Sequence, residues 1–271
     1  METKNILKIY DDVKTDFKFI TSSSIRNKII LSLNESPKEL NDLKKNLNLK
    51  SSPILREIKS LQNQNFIFQK ENQYFLSPPG KIISLKSKSL INTLAAKNKK
   101  IWLNHDISSI PPEFIRKIEC LSDSFVIEST LTNIIKPHTN YRKIISDVSN
   151  IKAVSPIYDY SYVDLYLKSL QNNAKIDLIV TDPISKKIKE ISRQKEIEKI
   201  ISSSKNLRLW KTNAELKIAF TVTEKFFSMG LFLEGRTYDP TINLVSKNKK
   251  AINWGSQLFE YYLKNAEKIT I

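Results

Sequence analysis

The 271 residues carry 44 Lys and Arg against 28 Asp and Glu, a net charge of +16, with 40% hydrophobic residues and a single cysteine. That length holds more than one core, the lone Cys120 excludes an internal disulfide or a thiolate-rich metal site, and no apolar run is long enough to span a bilayer. The charge excess is uneven, with 19 basic and 9 acidic residues in the first hundred positions, and it suits a polyanionic partner, because neutralising phosphates releases counterions. The amino terminus, with Glu2, Asp11, Asp12 and Asp16, lacks the form of a signal peptide, so the expectation is a cytoplasmic protein.

In chain order, Ile25, Ile29, Ile30 and Leu33 recur at helical spacing after the serines at 22–24, which predicts a capped first helix. Ser36 and Pro37 then read as the cap and first-turn proline of a second helix, with Leu40, Leu43 and Leu47 on its buried side. Ser52 and Pro53 repeat that signal for a third, whose Ile54, Leu55, Ile58 and Leu61 face one way while Ser51, Arg56 and Lys59 face elsewhere. Residues 66–70 and 73–77 follow as two strand-like runs joined at Glu71-Asn72, where the asparagine accepts a left-handed backbone. Three helices and a hairpin in this order predict a winged helix-turn-helix over residues 1–80.

From Lys44 to Lys59 there are five basic residues and one acid, Glu57. Arg56 is the candidate for a base edge, since its planar fork can bond guanine twice in the major groove. Lys50, Lys59 and Lys70 suit phosphates, and Ser51 and Ser52 stand at a helix start where free N–H groups gather, although an N-cap alone would explain Ser52. The stretch from Ser52 to Leu61, with Phe66-Ile67 and Tyr74 to Gly80, resembles the recognition helix and wing of ArsR-like archaeal and bacterial regulators. Asn65 departs from the glycine usual there, and asparagine tolerates the left-handed turn second best. The resemblance implies double-stranded DNA as the partner.

Residues 81–98 place Ile82, Ile83, Leu85, Leu90, Ile91 and Leu94 among lysines and serines, a connecting helix of the kind that pairs with its twin in a homodimer. Residues 99–271 then alternate strand-like runs, at 101–103, 124–128, 151–157, 176–181, 207–210, 216–223 and 242–245, with helical spans at 112–121, 160–171, 183–202 and 248–265. Alternation of this kind predicts an α/β layered domain for ligand sensing or dimerisation. The segments Trp102 to Ile107 with Ile110-Pro111-Pro112, Val154-Ser155-Pro156, Phe226 to Phe232, Tyr238-Asp239 and Trp254 to Tyr262 resemble the effector domain of archaeal Fil-type methanogenesis regulators. From Ile151 onward the chain also resembles the phospholipase-D-like half-domain of TrmB-type regulators.

Enzymes of the phospholipase-D superfamily need an H-x-K-x4-D motif. Here His105 precedes Asp106-Ile107 and His138 precedes Thr139-Asn140, so neither places a lysine two residues on, and covalent phosphoryl transfer has no nucleophile with its charge partner. The four glycines lie too far apart for a phosphate loop, and no His and carboxylate spacing suggests zinc, so neither catalysis, a cofactor nor a metal is expected. Tyr158 and Tyr160, in an aromatic and acidic cluster with Asp159 and Tyr162, and Trp210, Glu215 and Arg236 at strand ends are candidates for binding a small-molecule effector, with packing or an ion pair as the plainer role of each. His138, after Pro137, reads as a loop residue. Two other functions stay open at this level, a phosphodiesterase-like enzyme and a winged-helix protein-docking module.

Overall fold

A computed structural model describes residues 5–235 and 237–269, which are mixed α/β and divide into two compact units, 1–91 and 92–271.

The first unit opens with α1 (Ile6–Ser22), capped by Asn5 and not foreshadowed by the sequence signals. It buries none of its residues; Ile6, Tyr10, Val13 and Phe17, spaced along one side, are all exposed. α2 (Ser24–Glu35) starts inside the predicted serine run, with Ser23 Oγ accepting from the Arg26 N–H at 3.2 Å. The second predicted helix starts later than expected. Lys38–Glu39 form a short strand, β1, and Glu39 caps α3 (Leu40–Leu47) in a reciprocal box with Asp42, so Ser36 and Pro37 lie outside the helix. α4 (Ser51–Asn63) has Lys50 at its cap position, which corrects the reading of Ser52 as the N-cap: Ser51, Ser52 and Pro53 form its first turn.

β2 (Ile67–Lys70) and β3 (Gln73–Leu76) pair antiparallel, and β3 carries β1 on its other edge. At the hairpin tip the left-handed residue is Glu71 and not Asn72, whereas Asn65 before the hairpin adopts φ 56° as anticipated. The core is Ile29, Ile30 and Leu33 of α2, Leu43 of α3, and Ile54, Ile58 and Leu61 of α4, closed by Ile67 and Tyr74. Leu55, placed on the buried side by its spacing, is instead 42% exposed. α5 (Pro78–Lys97) begins three residues before the predicted connecting helix and leaves Ile82, Leu85, Leu90, Ile91 and Leu94 exposed.

The second unit is built on a nine-stranded sheet. A short strand β4 (His105–Asp106) and β5 (Phe125–Glu128) precede three parallel strands, β6 (Asn150–Ser155), β7 (Lys175–Thr181) and β8 (Leu207–Thr212). Antiparallel strands follow: β9 (Ile218–Thr223), β10 (Phe227–Leu233), β11 (Ile242–Ser246) and β12 (Glu267–Ile269). The spatial order is β12-β8-β7-β6-β9-β10-β11-β5, with β4 on β10. The predicted strand at 101–103 is a 3-10 turn, Lys100–Trp102. The predicted helix at 112–121 is a short α6 (Pro112–Ile115) and a 3-10 turn, Ile118–Leu121.

α7 (Lys136–Ile145), unpredicted, takes His138 out of the loop assigned to it and into a first helical turn. α8 (Tyr160–Gln171) connects β6 to β7 over the span predicted for it. The long helix expected over 183–202 is two, α9 (Asp182–Ser192) and α10 (Lys195–Ser203). α11 (Lys249–Leu263) packs Trp254, Leu258 and Phe259 on one face of the sheet, against Phe220, Phe227 and Met229. The opposite face receives Tyr141 of α7 and Leu165 and Leu170 of α8, against Ile151, Ala153 and Leu178. Strand alternation divides the side chains between these two cores.

At the rim, Lys217 Nζ lies 2.7 Å from Asp106 Oδ2, and this bond, with those from Ser108, holds the Asp106 carboxyl well below the usual carboxylate range. A depressed folded-state value stabilises above the ordinary carboxylate range and is lost as pH falls through it. Asp106→Asn should therefore lower the urea midpoint at pH 7 but leave it near the parent's in strong acid. A gap of equal size at both pH values would contradict the pairing.

Candidate nucleic-acid interface and tyrosine cleft

α4 meets its core along Ile54, Ile58 and Leu61, and the same rotation puts Ser52, Leu55, Arg56 and Lys59 on its outer side, all exposed. Lys50 is exposed at the cap, Ser51 is half-buried, and Lys70, ending β2, is exposed next to the hairpin tip. The Arg56 side chain is 74% exposed. The six predicted contact residues thus divide between the α4 face and the hairpin.

The acid within this stretch is turned away. Glu57 is buried, and Arg26 Nη2 of α2 lies 2.8 Å from its Oε2, in ionic contact but out of line for a hydrogen bond. Arg26 in turn stacks on Phe19, its guanidinium carbon 3.7 Å from the ring centroid, and donates to the Phe19 carbonyl. Arg56 Nη2 reaches the other oxygen of Glu57 only at 3.6 Å. The outer face of α4 therefore presents cations, hydroxyls and one leucine, with its single carboxylate neutralised from behind.

Two exposed apolar residues belong to this surface and were missed by the sequence reading: Leu55, and Phe68 of β2, which stacks on Phe75 with centroids 5.3 Å apart. Phe68 carries a signal that could have found it, since strand alternation opposes it to the buried Ile67. Leu55 carries none, because its spacing assigns it to the buried stripe.

In the second unit a cavity of about 610 Å³ lies beside the amino-terminal turns of α7 and α8 and the start of β11. Tyr158 and Tyr160 line it together with Asp159 and Tyr162 of the same predicted cluster and with His138 and Tyr238, which the sequence does not place there. Tyr238 reaches across β10, where a Cβ on Gly230 would stand 2.3 Å from its hydroxyl. Behind it, a recess of about 50 Å³ is bounded by Tyr141, Tyr166, Thr221 and Asn243. The Tyr141 hydroxyl is 2.9 Å from those of both Tyr166 and Thr221. Burial, then the nearby Asp239 charge, pushes Tyr238 up to about 12; burial raises Tyr162, Tyr141 and Tyr166 as well, so these phenols keep their protons at neutral pH.

The other predicted effector residues are not brought to this cleft. Trp210 of β8 packs on the α11 side of the sheet, and Glu215 sits between β8 and β9, its carbonyl accepting from Ser109 Oγ at 3.4 Å. Arg236 lies outside the described residues. No group of His, Cys, Asp and Glu among the described residues is placed to hold a metal ion, and no described helix is long and apolar enough to cross a membrane.

Two family models match the chain: the N-terminal domain of methanogenesis regulatory protein FilR1 over residues 14–95, and its middle domain over residues 134–265. The methanogenesis regulatory protein FilR1 of Methanothrix harundinacea (strain 6Ac) is 27% identical over 264 residues, which is 95% of this chain but 59% of that protein. The chain therefore spans about three fifths of the length of the curated relative it matches. Among solved structures, the archaeal chromatin protein TrmBL2 is 14% identical with a TM-score of 0.43, covering 91% of this chain and 94% of its own. Pseudomonas aeruginosa HmgR is 11% identical with a TM-score of 0.24, covering 89% and 95%.

Arg26→Ala should destabilise the first unit by about 3–5 kcal/mol, because it strands a buried carboxylate. Replacing Arg26 and Glu57 together by Met and Leu should recover most of that loss in urea unfolding. An unchanged midpoint in Arg26→Ala would show that the pair is not buried as described.

Proposed function

The chain belongs to the FilR1 methanogenesis regulatory protein family, and from that premise we propose that it is a sequence-specific, double-stranded-DNA-binding transcription regulator. The observation that carries this reading is the outer face of α4, where Lys50, Arg56 and Lys59 stand exposed while Glu57 is buried against Arg26. Residues 1–80 act as a winged helix-turn-helix, with α4 in the major groove and the β2–β3 hairpin as the wing. Arg56 reads a base edge. Lys50, Lys59 and Lys70 bind phosphates, and Ser51 and Ser52 offer the hydroxyls and N–H groups of the first turn to the backbone.

The protein acts as a homodimer in the cytoplasm. Supporting this are the exposed apolar side of α1, with Ile6, Tyr10, Val13 and Phe17, and that of α5, with Ile82, Leu85, Leu90 and Leu94. Two copies would place two recognition helices on half-sites about one turn of DNA apart. The second unit, a phospholipase-D-like half-domain by its resemblance, senses a small molecule without catalysis, as the missing H-x-K-x4-D motif leaves no nucleophile. A ligand preferring one arrangement of the dimer would shift DNA affinity by its differential affinity for the two states.

Selection of bound sites from a random duplex pool tests the reading directly. Arg56→Ala should relax preference at one base pair by about 1–3 kcal/mol. Lys59→Ala should weaken all sequences alike and flatten the salt dependence by about one unit of slope. Unaltered operator preference in Arg56→Ala would overturn the role given to Arg56, and failure to bind any duplex, at any salt, would favour a protein-docking module instead. Sedimentation of the full chain should show a dimer that Tyr10→Glu with Val13→Glu dissociates; a monomeric parent would refute the dimer.

A further inference from the structure

The cavity beside α7, α8 and β11 differs in electrical character from the rest of this cationic chain. Its described walls carry four tyrosines, Tyr158, Tyr160, Tyr162 and Tyr238, and one carboxylate, Asp159, with no lysine or arginine among them. Arg142, donating to the Ser161 carbonyl at 2.9 Å, and Lys187, near Tyr158, stand behind this lining, but among the described residues the fixed charge on the cavity wall itself is negative, which suits an anion poorly. Aromatic faces are negative and attract a cation placed over them, the more so when water is excluded.

One feature of the fold opposes a cation. Helix amino termini attract anions, and two of them adjoin this cavity. At α8 that end is already engaged: Asp159 Oδ1 accepts from the Ser161 N–H at 2.8 Å and from Ser161 Oγ at 2.6 Å, while Oδ2 takes no part in the cap. A full carboxylate charge exceeds the roughly half charge of a helix end. At α7 the ring of His138 is turned to the same hydroxyl, its Nε2 3.1 Å from Ser161 Oγ.

Deeper in, Asn243 lines both the cavity and the small recess behind it. Its Nδ2 donates to Ser228 Oγ at 2.9 Å, and its Oδ1 is buried with no hydrogen-bond partner among the described residues. A buried acceptor without a donor is costly, and a donor on a ligand would relieve that cost. The unmet needs of the cavity are thus positive charge and a hydrogen-bond donor.

We propose that this cleft binds a small organic ammonium compound, its apolar body among the tyrosines and its protonated nitrogen facing Asp159. The inference deepens the sensing role given above to the second unit and is independent of the DNA reading. Three probes sharing one ring separate the alternatives: benzylammonium, the neutral benzyl alcohol and the anionic benzoate, titrated against the full chain by ligand-observed NMR with no DNA present. Benzylammonium should bind at least about 5-fold more tightly than the alcohol, with benzoate weakest. Asp159→Asn, which retains a good helix cap, should erase most of that preference with α8 intact by circular dichroism. Tyr160→Ala, at an exposed rim position, should weaken benzylammonium more than benzyl alcohol.

Equal binding of the three probes, preference for benzoate, binding of none, or a charge preference surviving Asp159→Asn would each overturn the proposal. Duplex affinity, measured separately, reports on the regulator reading, so either can fail without the other.

Discussion

The contact between Arg26 and Glu57 decides how the first unit presents itself. Without it, Glu57 would either stay buried at a large desolvation cost or turn outward among the lysines of α4. The guanidinium, held over Phe19 and by its carbonyl, fixes the carboxylate inside. One pair between α2 and α4 therefore joins the core to the charge pattern of the surface. Hydrophobic contacts among Ile30, Ile54 and Ile58 supply the bulk of the cohesion, but they do not determine which sign of charge the outer face shows.

The second unit rests on a different constraint. Parallel strands β6, β7 and β8 require crossover helices, and α8, α9 and α10 supply them. The antiparallel neighbours β9, β10 and β11 need no crossover helix between them, and α11 covers one of their faces. The tyrosine cleft opens near the carboxyl end of β6, beside Ile157 and Tyr158. Openings of this kind recur at the ends of parallel strands, where successive connections diverge.

Much of this organisation was legible in the sequence, where burial imposes a period. Most of the larger strands and α8 follow their apolar patterns closely, as do the core positions of α2 and α4. The departures have local causes. Glu39 and Asp42 form a better cap than Ser36 with Pro37, which moved the start of α3. At 101–103 a run of Ile, Trp and Leu fits a 3-10 turn as well as a strand, because three residues are too few to show a period. α1 has no fully buried residue and meets the core only through Phe19 and Ile20 near its end, so little core periodicity marked it. Of the candidate site, the basic residues of α4 were visible from charge alone, whereas Glu57 needed Arg26 from another helix to be placed. The cleft was half visible: Tyr158 and Tyr160 adjoin in sequence, but Tyr238 and Asn243 reach them only through the strand order.

Gly230 gives that cleft its depth. The ring of Tyr238 lies against the strand only because position 230 bears a hydrogen where any other residue would bear carbon, with 2.3 Å available between a Cβ and the phenol oxygen. The chamber is therefore shaped by an omission: a single added methyl would push the aromatic wall outward and reshape the space between Ile157 and Asn243. Descendants of this gene could alter what the chamber admits by changing one codon, leaving every residue that faces the guest as it was.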